Sequence, residues 1–150
     1  MQGASERPNM KITRLETIRV GGFSNLLLVR LKTDAGLVGL GETYRNVGAI
    51  ETYLHETCAP YLIGKDPRNR EALFQGMARH MGNHNQGFPT RSVEMRGNSA
   101  VDIALWDLCG QAAGVPIYQI LGGMTQKKTR IYNTCAGGNY NNQALVDYDS

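Results

Sequence analysis

The chain of 150 residues contains little cysteine and no long apolar run, and each scarcity excludes a class of protein. Cys58, Cys109 and Cys135 are odd in number and widely separated, without the Cys-x-x-Cys or Cys/His spacing of zinc sites. We therefore predict reduced thiols in a cytoplasmic protein. Because no segment is apolar enough to span a bilayer, we expect no membrane partner.

Aromatic and charged residues are also sparse, at 7% and 19% of the chain. The aromatic residues do not alternate with basic ones, and the net charge of +3 is mild, so no nucleic-acid partner is expected. The nearest approach to a basic cluster, Lys127, Lys128 and Arg130, has the composition of a solvated turn. The hydrophobic share of 41% is enough for a real core.

Three segments near the N-terminus have the pattern of β-strands. They run over residues 11–20, 26–33 and 37–44. Gly36 suits a tight hairpin between the second and third strands, since glycine readily adopts the left-handed conformation. The pattern predicts a three-stranded antiparallel meander, with a glycine-containing loop at 21–25 between the first two strands.

The middle of the chain has helical periodicity instead. The predicted helices cover residues 48–63, the residues after Asn69, and a third stretch that begins at Ser92 or Ser99 and ends before Gly114. In the third helix, Ala100, Ala104, Leu105 and Leu108 form an apolar face, which we expect a following domain to cover. Helices grouped after an antiparallel sheet define an α+β fold.

Three motifs in this order resemble a known family. They are TDAGLVGLGE at 33–42, LIGKDP at 62–67 and AVDIALWDLCGQAAGVPIYQILGG at 100–123. The sequence resembles the amino-terminal capping domain of the enolase superfamily, in its mandelate racemase and muconate lactonizing enzyme branch. Residues 1–9 lack the apolar stretch of a signal peptide and have the composition of a disordered lead or of a mis-called start. The resemblance implies an α+β capping domain at 10–123 and the start of a (β/α) barrel at 124–150. Its first barrel strand would include TRIYNTC at 129–135.

In that family the catalytic groups and the Mg²⁺ ligands lie on the barrel, so the resemblance implies no catalytic and no metal-binding residue in this chain. What it implies here is a lid of two segments that close over the barrel and select the substrate. We call residues 21–25 and 43–46 the lid segments. The substrate-binding residues expected on them are Phe23, Ser24, Asn25, Tyr44 and Arg45. Phe23 would supply an apolar wall, and Arg45 would meet a substrate carboxylate.

The resemblance also implies a reaction, in which a Mg²⁺-dependent enzyme abstracts the proton α to a carboxylate to give an enediolate. The polar lid favours dehydration of an acid sugar, whereas a more apolar lid would suit a racemase or a cycloisomerase. The complete enzyme is expected to be a homo-oligomer. A hypothesis of another class is a non-catalytic fragment or binding module; in either case we expect the 150-residue chain to be inactive alone and poorly soluble.

Several other residues need weighing against structural roles. His80 and His84 have the spacing of a helical zinc pair, but no third ligand is evident, so a metal site is disfavoured. Asp102 and Asp107 lie five residues apart, on different helix faces. We expect Asp107 to be a buried acceptor that holds the helix to the barrel and Trp106 to be a core residue. Glu42, which ends a strand at the lid, could accept a hydrogen bond there.

Overall fold

The computed structural model describes residues 9–80 and 91–130. The strands are β1 Ile12–Val20, β2 Phe23–Thr33 and β3 Val38–Tyr44, and the helices are α1 Val47–Tyr53, α2 Ala59–Leu62, α3 Arg70–His80, α4 Arg91–Ala113 and α5 Ile117–Ile120. A π-helical turn, Leu54–Cys58, joins α1 to α2. Within the described ranges, no helix is both long and apolar enough to cross a membrane.

The three strands form an antiparallel sheet in the order β1-β2-β3, as the sequence predicts. Alternate residues of β2, namely Leu27, Val29 and Leu31, are buried on the face that the helices cover. Gly36 has a φ of 77° in the turn between β2 and β3, the left-handed conformation expected of it. The meander is therefore confirmed.

The expected loop at 21–25 is shorter than predicted. Only Gly21 and Gly22 form the turn, because Val20 already pairs with Phe23 and β2 begins there. The next pair is Arg19 with Leu27, so the intervening β2 residues form a bulge on the β1 side. A glycine pair is a sufficient turn between antiparallel strands, and the residues after it are free to extend the strand.

The first predicted helix is confirmed as one helical stretch that contains the π-helical turn. Its apolar positions Ile50, Leu54, Cys58 and Leu62 are all at most 1% exposed. Pro60 is the second residue after the turn, and proline cannot donate the usual hydrogen bond to the residue four positions earlier. Gly64, with a φ of 84°, ends the stretch as expected.

Helix α4 starts at Arg91, which agrees with the earlier of the two predicted starts. The backbone N–H of Val115 donates to the carbonyl of Gly110, and Gly114 has a φ of 68°, so the glycine ends the helix in the predicted way. Helix α3 begins directly after Asn69, whose carbonyl accepts a hydrogen bond from the N–H of Leu73.

The apolar face of α4 is covered by this chain's own sheet, which corrects the expectation that a following domain covers it. Its residues, Ala100, Ala104, Leu105 and Leu108, are 0% exposed. They pack on β3 at Gly39 and Gly41, where a Cβ atom would overlap the carbonyl oxygens of Ala104 and Ala100. The absence of side chains on these two glycines brings the helix backbone onto the strand.

Exposed large apolar residues lie on other surfaces, and four of them follow α4. Tyr118, Ile120, Leu121 and Met124 are between 38% and 64% exposed. Residues 129 and 130, predicted to open the first barrel strand, have no regular secondary structure. The remainder of the predicted barrel strand, together with His84 and Cys135, lies outside the described residues, as does nearly all of the predicted lead at 1–9.

Candidate functional site

Side chains of α4 bond to the outer edge of strand β3, which defines a seam between the two elements. Gln111 Nε2 donates to the carbonyl of Val38 at 2.8 Å, and Asp107 Oδ2 accepts from the N–H of Leu40 at 2.8 Å. Asp107 is thus an acceptor, as predicted, but it holds the helix to its own sheet rather than to a barrel. At the other end, Arg96 donates to the carbonyl of Tyr44 at 3.1 Å.

The seam opens into a groove at the Tyr44 end. Its volume is about 480 Å³. We call it the seam groove; its lining residues are Leu26, Glu42, Thr43, Tyr44, Ser92, Met95, Arg96, Ser99 and Ile103. Hydroxyl, guanidinium and carboxylate groups on an otherwise apolar wall are typical of sites that orient a small polar ligand.

Two guanidinium groups lie against the Tyr44 ring. The Arg96 guanidinium carbon is 4.6 Å from the ring centroid, and that of Arg45 is 5.6 Å away. Both distances are within the range of a cation–π interaction. Tyr44 is 49% exposed, Arg45 is exposed and Arg96 is partly buried, so two positive charges flank this end of the groove.

The backbone after β3 is held in an uncommon conformation. Arg45 and Asn46 have φ values of 64° and 50°, both in the left-handed region that residues other than glycine seldom adopt. The N–H of Arg45 donates to the carbonyl of Asn25 at 2.9 Å. This bond fixes the strained residues against β2, and such strain is found mainly where surrounding structure maintains it for a purpose.

The structure brings together some of the predicted lid residues and separates others. Asn25, Tyr44 and Arg45 meet through the hydrogen bond from Arg45 to Asn25 and the contact of Arg45 with the Tyr44 ring. Phe23 and Ser24 lie at the hairpin end of β2 and do not line the seam groove in the described part of the chain. Phe23 is 61% exposed.

Sequence reasoning missed the contribution of α4 to this groove. Ser92, Met95, Arg96, Ser99 and Ile103 line it. Their spacing of three or four residues places them on one helical face. That signal was available in the sequence, but it becomes visible only if the helix starts near residue 91 rather than at Ser99.

A second groove, of about 510 Å³, lies between α4 and the beginning of α3. Trp106 of α4 and Arg70 of α3 are among its lining residues. Trp106 is only partly buried, not in the core as predicted, and the Arg70 guanidinium lies 4.4 Å from its ring. Arg70 forms ion pairs with Asp102 and Glu71, so its charge is compensated. Asp102 and Asp107 therefore have separate structural partners, as their helical spacing indicated.

A largely buried polar cluster joins α1 and the π-helical turn to α4. The hydroxyl of Tyr53 donates to Asn98 Oδ1 at 2.8 Å, and Cys58 Sγ lies 3.7 Å from the same oxygen. Burial raises the pKa of the Cys58 thiol to about 11, and burial also raises the pKa of Tyr53. Both groups are neutral near pH 7, so Cys58 is a structural thiol rather than a nucleophile.

The residues that the structure describes do not form a metal centre. Across 9–80 and 91–130, no group of three or more His, Cys, Asp or Glu side chains converges as a metal ion would require. Glu42 is exposed in the seam groove, and none of the other described lining residues carries a carboxylate. A site for Mg²⁺, which needs several oxygen ligands, does not fit the described part of this chain.

Comparison with known proteins extends these observations. Residues 11–122 match the family model described as mandelate racemase / muconate lactonizing enzyme, N-terminal domain. A D-galactonate dehydratase of Verminephrobacter eiseniae is 41% identical over 130 residues, which cover 85% of this chain and 32% of that protein. The chain thus spans about a third of the length of this relative.

Solved structures agree with the sequence relatives. An enolase from environmental sequencing of the Sargasso Sea superposes with a TM-score of 0.74 and 44% identity, covering 85% of this chain and 33% of the other. An enolase from Pantoea ananatis, solved with bound D-gluconate and Mg, superposes with a TM-score of 0.68 and 37% identity. That match covers 79% of this chain and 28% of the other.

Proposed function

The chain belongs to the mandelate racemase and muconate lactonizing enzyme family, and from that premise we propose that it is the capping part of a longer, Mg²⁺-dependent acid-sugar dehydratase. In the proposed reaction, the enzyme removes the proton α to the substrate carboxylate. The hydroxyl group on the neighbouring carbon then leaves as water, and the resulting enol tautomerises to a 2-keto-3-deoxy acid. The relatives named as dehydratases favour this outcome over racemisation or cycloisomerisation.

One observation in this chain supports a role in substrate selection most directly. The hydrogen bond from Arg45 to the carbonyl of Asn25 joins the two lid segments beside the seam groove. Strained backbone, exposed polar groups and a groove coincide there, and loops held on a rigid sheet commonly carry specificity. We propose Asn25, Tyr44 and Arg45 as substrate-contacting residues, with Phe23 and Ser24 at the rim.

The remaining chemistry belongs to the rest of the proposed enzyme. Because the described residues do not fit a Mg²⁺ site, the ion would be held by a barrel that this chain does not contain. The metal would stabilise the enediolate, while the cap excludes water and orients the acid sugar. A homo-oligomeric assembly and a cytoplasmic location remain predictions from the sequence.

The test compares the full-length protein with the 150-residue chain. Each is incubated with Mg²⁺ and a panel of aldonic and aldaric acids, and formation of 2-keto-3-deoxy acids is measured. We expect turnover by the full-length protein and none by the chain alone. Exchange of the α-proton with deuterium, followed by NMR, detects racemase chemistry that forms no keto acid.

Two outcomes would contradict the proposal. Proton exchange without loss of water would favour the racemase alternative, and turnover by the 150-residue chain would show that the cap has catalytic groups of its own. If neither protein acts on any acid in the panel, the binding-module hypothesis becomes the better account.

A further inference from the structure

Arg96 lines the seam groove, and Arg45 lies beside it in contact with the Tyr44 ring. Both differ from most other arginines in the described residues. Five other arginines form ion pairs with carboxylates: Arg14 and Arg30 with Glu16, Arg19 with Glu51, Arg68 with Asp66, and Arg70 with Asp102. Among the described residues, neither Arg45 nor Arg96 has a carboxylate within ion-pair distance, although Glu42 lines the same groove. Both instead contact the ring of Tyr44.

The geometry leaves these two guanidinium groups able to bind an anion. A guanidinium has five N–H donors, and Arg96 is seen to use one of its nitrogens on the Tyr44 carbonyl. That bond and the ring contact hold the Arg96 side chain in place, so little entropy is lost when a ligand binds. The groove volume of about 480 Å³ falls within the range of roughly 300–1,000 Å³ seen in small-ligand pockets.

A second carboxylate on the substrate would account for this arrangement. In the proposed function, the carboxylate beside the reacting carbon would be bound where the proton is removed, in the part of the enzyme that the family resemblance assigns to the barrel. A monocarboxylic aldonate presents a neutral hydroxymethyl group at its other end, whereas an aldarate presents an anion there. Guanidinium groups recognise carboxylates through strong charge-assisted hydrogen bonds, and a neutral hydroxymethyl group would form weaker bonds with the same two arginines.

We infer that the seam groove binds the far carboxylate of a dicarboxylic acid sugar, through Arg96 and Arg45. The substrate class is then the aldarates rather than the aldonates. The inference rests on the proposed function, because the active site of the complete enzyme would bind the other end of the substrate. It assigns Arg96, on a helix outside both lid segments, as a specificity-determining residue.

The experiment uses matched pairs of acids that differ only at the far carbon. Galactarate is compared with galactonate, glucarate with gluconate, and mannarate with mannonate, on the full-length protein with Mg²⁺. We expect kcat/KM to be at least about tenfold higher for the aldarate of the preferred pair. Arg96→Gln and Arg45→Gln should each lower that value on the order of 10- to 100-fold for the aldarate, mainly through KM.

Three further measurements separate ligand binding from folding. The aldonate of the same pair should lose less than about threefold in each variant, since it makes no ionic contact with the groove. Arg96→Lys keeps the positive charge without the planar fork and should recover part of the aldarate activity. Arg79→Gln, on α3 and bonded to Gln75 rather than to a groove residue, is the matched control and should change neither activity.

The inference is overturned if the parent protein prefers aldonates, or if Arg96→Gln lowers both activities equally, which would indicate a structural role alone. If no acid of the panel is turned over, the proposed function fails and calorimetric binding decides the inference. Tighter binding of an aldarate than of its aldonate, lost in Arg96→Gln, would support it. Equal or undetectable binding would reject it.

Discussion

The two ends of the seam between β3 and α4 are built differently. At the end marked by Gly39, Gly41 and Asp107, the helix backbone rests on the strand and the strand edge is bonded. At the end marked by Tyr44 and Arg96, the helix and strand separate into a groove with exposed positive charge. One strand and one helix thus give a closed end that stabilises the fold and an open end available to a ligand.

The difference is produced by side-chain size along β3. Alternate positions 39 and 41 carry no side chain toward the helix, whereas Thr43, the next residue on that face, does. Close approach at the glycines fixes the position of α4 and hence that of Arg96 near its beginning. The rigidity of the closed end is therefore a condition for the geometry of the open end, and substitutions at each end should behave differently.

The largest effect is expected from filling the closed end. In Gly41→Val, the new side chain would overlap the carbonyl oxygen of Ala100, which is helix backbone and cannot move aside. We expect a loss of roughly 3 kcal/mol in the free energy of unfolding, the upper range for overpacking of a core. Urea denaturation of the 150-residue chain, followed by the fluorescence of its single tryptophan, Trp106, measures this.

Gly21→Ala is the matched control for that substitution. No atom lies within 4 Å of the position that its Cβ would occupy, and its φ is not in the left-handed region. Its stability should stay within about 1 kcal/mol of the parent. If Gly41→Val were as stable as Gly21→Ala, the close contact between β3 and α4 would not exist in solution.

A smaller effect is expected from removing the side-chain acceptor that bonds to the edge of β3 at the same end. Asp107→Ala removes the acceptor of the Leu40 N–H, an exposed bond of 2.8 Å. The expected loss is about 1 kcal/mol, and Asp107→Asn, which keeps an acceptor oxygen, should lose less. The free energy of unfolding should therefore be higher for Asp107→Asn than for Asp107→Ala. Equal losses would show that charge, rather than the hydrogen bond to Leu40, stabilises this end.

The closed end shows what the sequence could and could not predict. Local signals sufficed for the elements: the helical spacing of Ile50, Leu54 and Cys58, and the left-handed glycines 64 and 114, are properties of short segments. The periodicity of α4 identified its apolar face but not the surface that covers it. The covering surface depends on tertiary packing. The same apolar residues of α4 would suit either the chain's own sheet or a following domain.

Of the open end, only the residues at the end of β3 and directly after it were singled out from the sequence. Tyr44 ends a predicted strand and Arg45 follows it, so the sequence placed these two residues together, and their role in a lid stays a prediction from the family resemblance. Arg96 lies about fifty residues later, on a helix whose start was ambiguous, and nothing local links it to Tyr44. The spacing of Gly39 and Gly41 on one strand face was a usable sign that a helix backbone approaches there, and hence that α4 lies beside β3.

The smallest effect, and one of opposite sign, is expected at the open end. Arg45 has a φ of 64°, a conformation that asparagine tolerates better than arginine does. Arg45→Asn should therefore raise the free energy of unfolding by up to about 1 kcal/mol, whereas Arg45→Gln, with the same strain, should not. Urea denaturation of both variants checks this, and equal stabilities would mean that the backbone at residue 45 is not strained. Because Arg45→Asn also removes a groove cation, it should gain stability while losing aldarate binding. If both effects are observed, Arg45 is retained for ligand binding rather than for the stability of the fold.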